Sequence, residues 1–369
     1  MATRASVQDA RAYFASDYFS ARERFLALAR SRGAQVATYP LNARGPAGET
    51  LAIDTAYLGA RSPRRLLAVI SGTHGVEGFA GSALQCQWLE GVSAARLPDG
   101  GGCLLIHALN PYGFAWLRRT NENNVDLNRN ALPQFPGPPN PAYRRLDAWL
   151  NPPSVPKGSD LFLLQGLWLL ARHGFASLQQ AIVEGQYEYP RGLFYGGART
   201  EESTAILWKI LAVDAWRDVK RLLLIDIHTG IGRFATYKLM VDVAEHSEAY
   251  RELARWFGPQ SIASNRPADS IAYRVSGGLI ERVTELYAPR QAYAGVLEFG
   301  TVAPIRMIAA LRRENRAHHY GADNGAMIEA ARAALREVFC PSRIEWRARF
   351  LADGARVLAQ AERACFAAK

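Results

Sequence analysis

Leu66-Leu67-Ala68-Val69-Ile70-Ser71-Gly72-Thr73-His74-Gly75-Val76-Glu77 is an apolar run that empties into a glycine-punctuated loop. A short run of this kind, bounded by turn residues, reads as a buried strand. The ends of such strands are where α/β sheets place their sites. A second stretch, Arg221-Leu222-Leu223-Leu224-Ile225-Asp226-Ile227-His228-Thr229-Gly230, repeats the order of apolar strand, histidine and glycine. If the two strand ends converge, His74, Glu77 and His228 supply two imidazoles and one carboxylate. A zinc ion held by that set keeps a coordination position for water, which separates catalytic from structural sites. A lone His-x-x-Glu is a weak motif, and a strand-end histidine is equally at home as a hydrogen-bonded core residue. The remainder of the chain has to decide between them.

Working outward, residues 5 to 32 predict an amphipathic helix with Phe14, Tyr18, Phe25, Leu26 and Leu28 on its apolar face. Gln35 to Pro40 and Thr50 to Leu58 alternate as strands around a turn-rich 42–48. Phe79 to Leu89 reads as helix and Cys103 to Leu109 as another buried strand, so the alternation predicts an α/β fold with a mixed, mostly parallel sheet flanked by helices. The prolines between Asn130 and Gly158 exclude regular structure throughout and mark a surface excursion. Helices are expected over Leu161 to Arg172 and Glu202 to Trp216, around an aromatic, glycine-rich loop from Gly185 to Gly197. Residues 131–200 therefore form an insertion within a single domain spanning 1–369, and the loop is either a lid or a rigid segment packing its own aromatics. Tyr237 to Val243 and Ala294 to Phe299 are further strand candidates, and helices are expected over most of Pro304 to the C-terminus, with two of them, from Ala326 to Lys369, packed on the sheet.

With 369 residues and 49% hydrophobic composition, the chain can bury one large core, and disorder is not expected. Its four cysteines show no C-x-x-C spacing, so they read as buried thiols outside any disulfide framework. No segment has the uninterrupted apolar length of a signal peptide or membrane span, and the expected location is cytoplasmic. The net charge of +10 comes from arginines spread in pairs such as Arg64-Arg65 and Arg312-Arg313. Without a basic tract or interleaved aromatic motif, specific nucleic-acid binding is not expected, nor is membrane attachment.

The stretch Asn110 to Asn130, with Arg118-Arg119-Thr120 and Asn124-Val125-Asp126-Leu127-Asn128-Arg129, supplies the context. Together with His74, Glu77, His228 and Glu298, it resembles the zinc carboxypeptidase superfamily from about Leu66 to Thr301. The resemblance is closest to a bacterial branch near the aspartoacylase and succinylglutamate desuccinylase-like deacylases. It implies one zinc per chain held by His74, Glu77 and His228, with Asp126 accepting a hydrogen bond from a ligand imidazole. It implies that Asn128 and Arg129 grip a substrate carboxylate, a task suited to guanidinium geometry. Arg119, or Arg118 beside it, matches the arginine facing the developing oxyanion. Glu298 interrupts the apolar run Ala294 to Thr301, and a buried carboxylate needs a partner or a proton. In the family this position is the general base. Tyr273, before Ser276-Gly277-Gly278, matches a mobile substrate clamp, and Ile280 falls at the floor of the specificity pocket. One departure concerns Gly75-Val76, since digestive relatives carry arginine between the loop ligands and deacylases do not.

The expected activity is therefore hydrolysis of an amide bond next to a terminal carboxylate, in a small peptide or an N-acyl amino acid. An N-acyl amino acid deacylase of the aspartoacylase type would use the same residues. A catalytically silent peptide-binding protein is the alternative of another class, and it requires the chain to bind peptide without metal.

Overall fold

The computed structural model describes residues 10–92, 97–157, 160–266 and 275–367. Eight strands lie in one sheet: β1 (Gln35–Arg44), β2 (Thr50–Gly59), β3 (Arg65–Ser71), β4 (Gly101–His107), β5 (Arg221–Gly230), β6 (Tyr237–Ala244), β7 (Ile262–Arg266) and β8 (Gln291–Gly300). Their spatial order is β1-β2-β4-β3-β5-β8-β6-β7. The central pairs β4-β3, β3-β5 and β5-β8 are parallel, as is β6-β7 at one edge. The pairs β1-β2, β2-β4 and β6-β8 are antiparallel. A parallel centre is covered on both faces, which explains why β3, β4 and β5 read as continuous apolar runs rather than as alternation.

Two-residue periodicity sorts those runs into two cores. Leu67, Val69, Leu223, Ile225 and Leu297 point to one face, which is covered by α1 (Tyr18–Ser31), α2 (Gly78–Gly91) and the long C-terminal helix Ile344–Phe366. Leu66, Ala68, Ile70, Leu222, Leu224 and Val296 point to the other, beneath the helices Glu202–Ile210 and Leu279–Tyr287. On this second face the C-terminal ends of β5 and β8 turn polar, at Asp226, His228 and Glu298. All three are buried.

The segment 131–200 contributes to a third core. Its apolar helices, α3 (Phe162–His173) and α4 (Phe175–Val183), pack toward α5 (Pro304–Tyr320) and α6 (Gly325–Phe339) through residues such as Leu169, Ile182, Met307 and Phe339. The proline-rich stretch is not wholly superficial. Short helical segments at Pro141–Arg144 and Asp147–Leu150 bury Tyr143, Leu146 and Leu150.

Three element boundaries depart from the periodicity. The N-terminal helix is not continuous: a turn at 10–13 breaks off, and α1 restarts after Asp17, whose carboxylate accepts from Ser20 N at 2.8 Å. A capping side chain therefore interrupts an apolar pattern that runs through it. Residues 5–9 lie outside the described residues. The helix expected over Glu202 to Trp216 ends at Ile210, where the Trp216 indole donates to the Ile210 carbonyl at 2.8 Å and folds the chain back. The run Cys103 to Leu109 leaves the sheet at His107, where Ala108 adopts a positive φ. All four cysteines are free and buried. Among the described residues, no helix is long and apolar enough to cross a membrane.

Candidate metal centre

The loop that carries His74 and Glu77 starts with a turn that favours glycine. Gly72 leaves β3 at φ +67°, and His74 then precedes a single 3-10 turn, Gly75–Glu77, that runs into α2. A Cβ on Gly75 would stand 2.0 Å from the Gly113 carbonyl carbon. That close approach lets Gly75 N and Val76 N donate to the carbonyls of Arg119 and Arg118, at 3.1 and 2.9 Å. The ligand loop is thereby clamped to the 110–130 stretch. Val76 is buried in the third core, so the Gly75-Val76 pair serves packing at this place.

The second side of the site comes from strand register. His228 of β5 pairs directly with Glu298 of β8, so their side chains emerge on the same face of adjacent parallel strands. Glu298 accepts from Ile231 N at 2.8 Å. Glu77 reaches across from its loop and accepts from Thr229 N at 2.9 Å.

The donor atoms of His74, Glu77 and His228 all lie within 4.8 Å of one another and are buried. His74 Nδ1 is 2.9 Å from Glu77 Oε1, the two Nδ1 atoms are 3.0 Å apart, and His228 Nδ1 is 3.3 Å from Glu77 Oε2. Tetrahedral zinc bonds of about 2 Å place neighbouring donors roughly 3.3 Å apart, so the three sit at the spacing one ion requires. The far side of each imidazole is also held. His74 Nε2 lies 2.9 Å from Asp126 Oδ1, and His228 Nε2 lies 2.7 Å from Asp226 Oδ2. A carboxylate behind each ring turns its Nδ1 toward the shared centre, and Arg119 Nη2 also lies 2.8 Å from His74 Nε2. The residues present fit a divalent metal of the zinc type.

The electrostatics agree. Burial alone would raise the Glu77 carboxyl, but His74 and His228 outweigh it and hold that carboxyl well below its usual range. Burial opposes charge on His228, yet Asp226 and Glu77 lift its pKa well above the ordinary histidine value. The ionised carboxylates that hold a proton on His228 would attract a cation in the same place. Burial and the neighbouring Glu77 charge push the Glu298 carboxyl up to about 7.

The expected site residues fall into distinct places. Arg119 lines the cleft, with its guanidinium 3.1 Å from Glu77 Oε1 and 3.1 Å from Asp126 Oδ2. Arg118 does not reach the cleft. It is fully buried, donates to Glu314 at 2.8 Å and to Asn124 at 3.0 Å, and so belongs to the scaffold under α5. Of the two arginines only Arg119 faces the cleft, because consecutive residues here point in different directions. Asn128 and Arg129 both line the cleft, and Arg129 donates to the carbonyls of Asn128 and Val183 at 2.9 and 2.6 Å. Ile280 lines it as well, whereas Tyr273 lies outside the described residues. Asp226, absent from the motifs, holds the far ring nitrogen of His228. A carboxylate inside an apolar strand, two residues before a ligand and on the same face, was the signal that marked it.

The cleft occupies about 550 Å³ and is bounded by the sheet end on one side and by α3, α4 and α5 on the other. In the loop Gly185 to Gly197, Leu193, Phe194 and Tyr195 are buried. The Phe194 ring lies under the Arg119 guanidinium at 5.4 Å.

Fold and site together define an α/β protein with a buried His-Glu-His group that could hold a cation, at the C-terminal ends of its parallel strands. The chain belongs to the family described as "Protein of unknown function (DUF2817)", which matches residues 14–353. No functionally curated protein matches it by sequence. Among solved structures it is similar to carboxypeptidase A from Helicoverpa armigera, at 12% identity and a TM-score of 0.44, covering 87% of this chain and 73% of that one. It is also similar to a succinylglutamate desuccinylase from a Silicibacter species, at 14% identity and TM-score 0.37, covering 78% and 67%. A third is murein-tripeptide amidase from Escherichia coli O157, at 16% identity and TM-score 0.36, covering 82% and 95%.

Proposed function

We propose that this protein is a zinc-dependent hydrolase that cleaves an amide bond next to a terminal carboxylate in a small peptide or peptide-like substrate. The observation that carries the reading is the meeting of His74, Glu77 and His228 at donor spacing beside the Glu298 carboxyl, inside one cleft. When bound, zinc would supply Lewis acidity to the scissile carbonyl and to water. Glu298 takes a proton from the attacking water and hands it to the leaving nitrogen. A carboxyl with a pKa near the working pH is suited to both halves of that task. Arg119 contributes positive charge where the oxyanion develops. Asn128 and Arg129, which line the cleft, would grip the substrate carboxylate. Asp126 and Asp226 keep the two imidazoles oriented. A deacylase acting on N-acyl amino acids would use the same groups, and the apolar walls of the cleft favour it over a peptidase for extended peptides.

The test is the metal content of the purified protein beside that of a His74→Ala, His228→Ala double variant, followed by a panel of dipeptides and N-acyl amino acids. About one zinc per chain, absent from the variant, with turnover abolished in Glu298→Gln, is the expected result. Peptide binding by a protein that takes up no zinc would overturn the reading in favour of a silent binding protein.

A further inference from the structure

We propose that the cleft is built for an acyl chain, so that the substrate is a medium- to long-chain N-acyl amino acid; this rests on the amide-hydrolase reading above and names its substrate class. The strongest sign is α3. Its sequence, Phe162-Leu163-Leu164-Gln165-Gly166-Leu167-Trp168-Leu169-Leu170, buries only Phe162 and Leu169. Leu163, Leu167 and Trp168 are each about 60% exposed, and Phe175 at the start of α4 is 58% exposed. Isolated surface leucines are ordinary, but a contiguous apolar run at the surface marks a place where something apolar is received.

The position of the run says what is received. Leu163, Leu167 and Phe175 line the same cleft as His74, Glu77 and Glu298, and Ile305 and Ile308 of α5 line it too. Polarity is segregated along this space. Its titratable residues are buried, apart from a partly buried Arg119, whereas the apolar residues of α3 are largely exposed. The cleft is therefore charged at its base and apolar toward solvent. An extended peptide laid on that outer wall would bring backbone amides to leucine and isoleucine side chains that offer no hydrogen bond, at a desolvation cost. A hydrocarbon chain has no such groups, and it covers surface that is otherwise left to water. The amphiphile that matches has a carboxylate and an amide at one end and an acyl chain at the other. Its hydrolysis consumes one water: the amide C–N bond breaks, a C–O bond forms at the carbonyl carbon, and the proton taken by Glu298 passes to the nitrogen. The products are a fatty acid and a free amino acid.

The experiment uses the zinc-loaded protein and N-acetyl-, N-hexanoyl-, N-decanoyl- and N-tetradecanoyl-alanine, each below its micellar concentration. At about 0.8 kcal/mol per buried methylene, kcat/KM should rise roughly fourfold per added carbon until the chain outgrows the cleft. A Leu163→Asp, Leu167→Asp variant should flatten that slope. Both positions are exposed, so the core is untouched, and thermal unfolding checks the fold. Calorimetric binding to Glu298→Gln should show the same dependence of Kd on chain length. A flat response in turnover and binding overturns the acyl site and leaves the hydrolase reading standing. A slope in binding without hydrolysis of any substrate sinks the hydrolase reading and keeps the acyl site. Two sources could present the same chain. Turnover in dilute solution identifies free acyl amino acids, and turnover that needs phosphatidylcholine vesicles identifies a lipid surface. Cosedimentation with vesicles alongside a flat chain-length response would overturn the proposal.

Discussion

In the proposed metal site, His228 is held from behind by a carboxylate. Asp226 lies two residues earlier on the same strand face, accepts from Thr73 Oγ1 at 2.8 Å and holds the far ring nitrogen of His228. Replacing a carboxylate in this position lowers metal affinity about 10- to 100-fold in comparable sites. Asp226→Asn should show that loss in a zinc competition titration against a chelator, with the protein still folded. An unchanged affinity would mean that Asp226 merely balances charge. Glu298 differs, because it touches no metal donor at bonding distance and its pKa is driven by burial and by Glu77. Glu298→Gln should keep its zinc and lose about 10²- to 10⁴-fold in turnover. The sign of the pH dependence follows from its role. If the ionised carboxylate is the base, as proposed, kcat/KM rises with pH through the Glu298 pKa. A nearby cation lowers that value from about 7, which places the acid limb at or below neutrality. A wild-type profile that instead falls as pH rises through this range would remove Glu298 from the role of base.

At the scale of elements, the site depends on the loop between β3 and α2 passing close to the 110–130 stretch. Gly75→Ala places a methyl group into the Gly113 backbone, in a stretch tied to the loop by the Gly75 and Val76 hydrogen bonds to Arg119 and Arg118. Overpacking of this kind costs about 1–3 kcal/mol, and here it would also displace the loop that carries His74. Urea unfolding and zinc titration should both register the change, and a variant with unaltered zinc affinity would show that the ligands do not rely on this contact. Such contacts also define what could be read from the sequence. The buried strands β3, β4, β5 and β8 were legible because a parallel centre needs apolar runs, and their ends announced His74, His228 and Glu298. Asp226 was hidden inside one of those runs, since a strand pattern does not say that a carboxylate within it faces an imidazole. Arg118 and Arg119 were indistinguishable in sequence, and only packing under α5 sends one to Glu314 and the other to the cleft. The edge strand β7, only five residues long and half-buried, gave too little periodicity to be seen. The apolar pattern of α3 was visible as a helix, but that its leucines stay exposed is a tertiary fact.

For the whole molecule, acid should act through a residue far from the chemistry. His107, at the end of β4, is fully buried between α1 and α2, with the Phe25 ring stacked on it at 4.3 Å and Ser82 Oγ 2.9 Å from Nε2. Its Nδ1 has no hydrogen-bond partner. Burial pushes its pKa down to about 4, a pull that the nearby Asp54 charge only partly offsets. The unfolded chain therefore takes up this proton near pH 6.5, before the folded chain does. The stability that neutral His107 provides is complete above that pH and is lost as pH falls toward 4. A depression of this size corresponds to about 3 kcal/mol by pH 4, a large fraction of what holds a domain together. Metal loss also destabilises in acid, so the comparison belongs on chelated protein. Wild type should lose urea resistance between pH 6.5 and 4 by about that amount more than His107→Gln does. Parallel losses in the two proteins would assign acid sensitivity to other groups. A separate loss through His107 would mean that acid opens the seam between β4, α1 and α2 independently of the metal ligands, on the face of the sheet opposite the cleft.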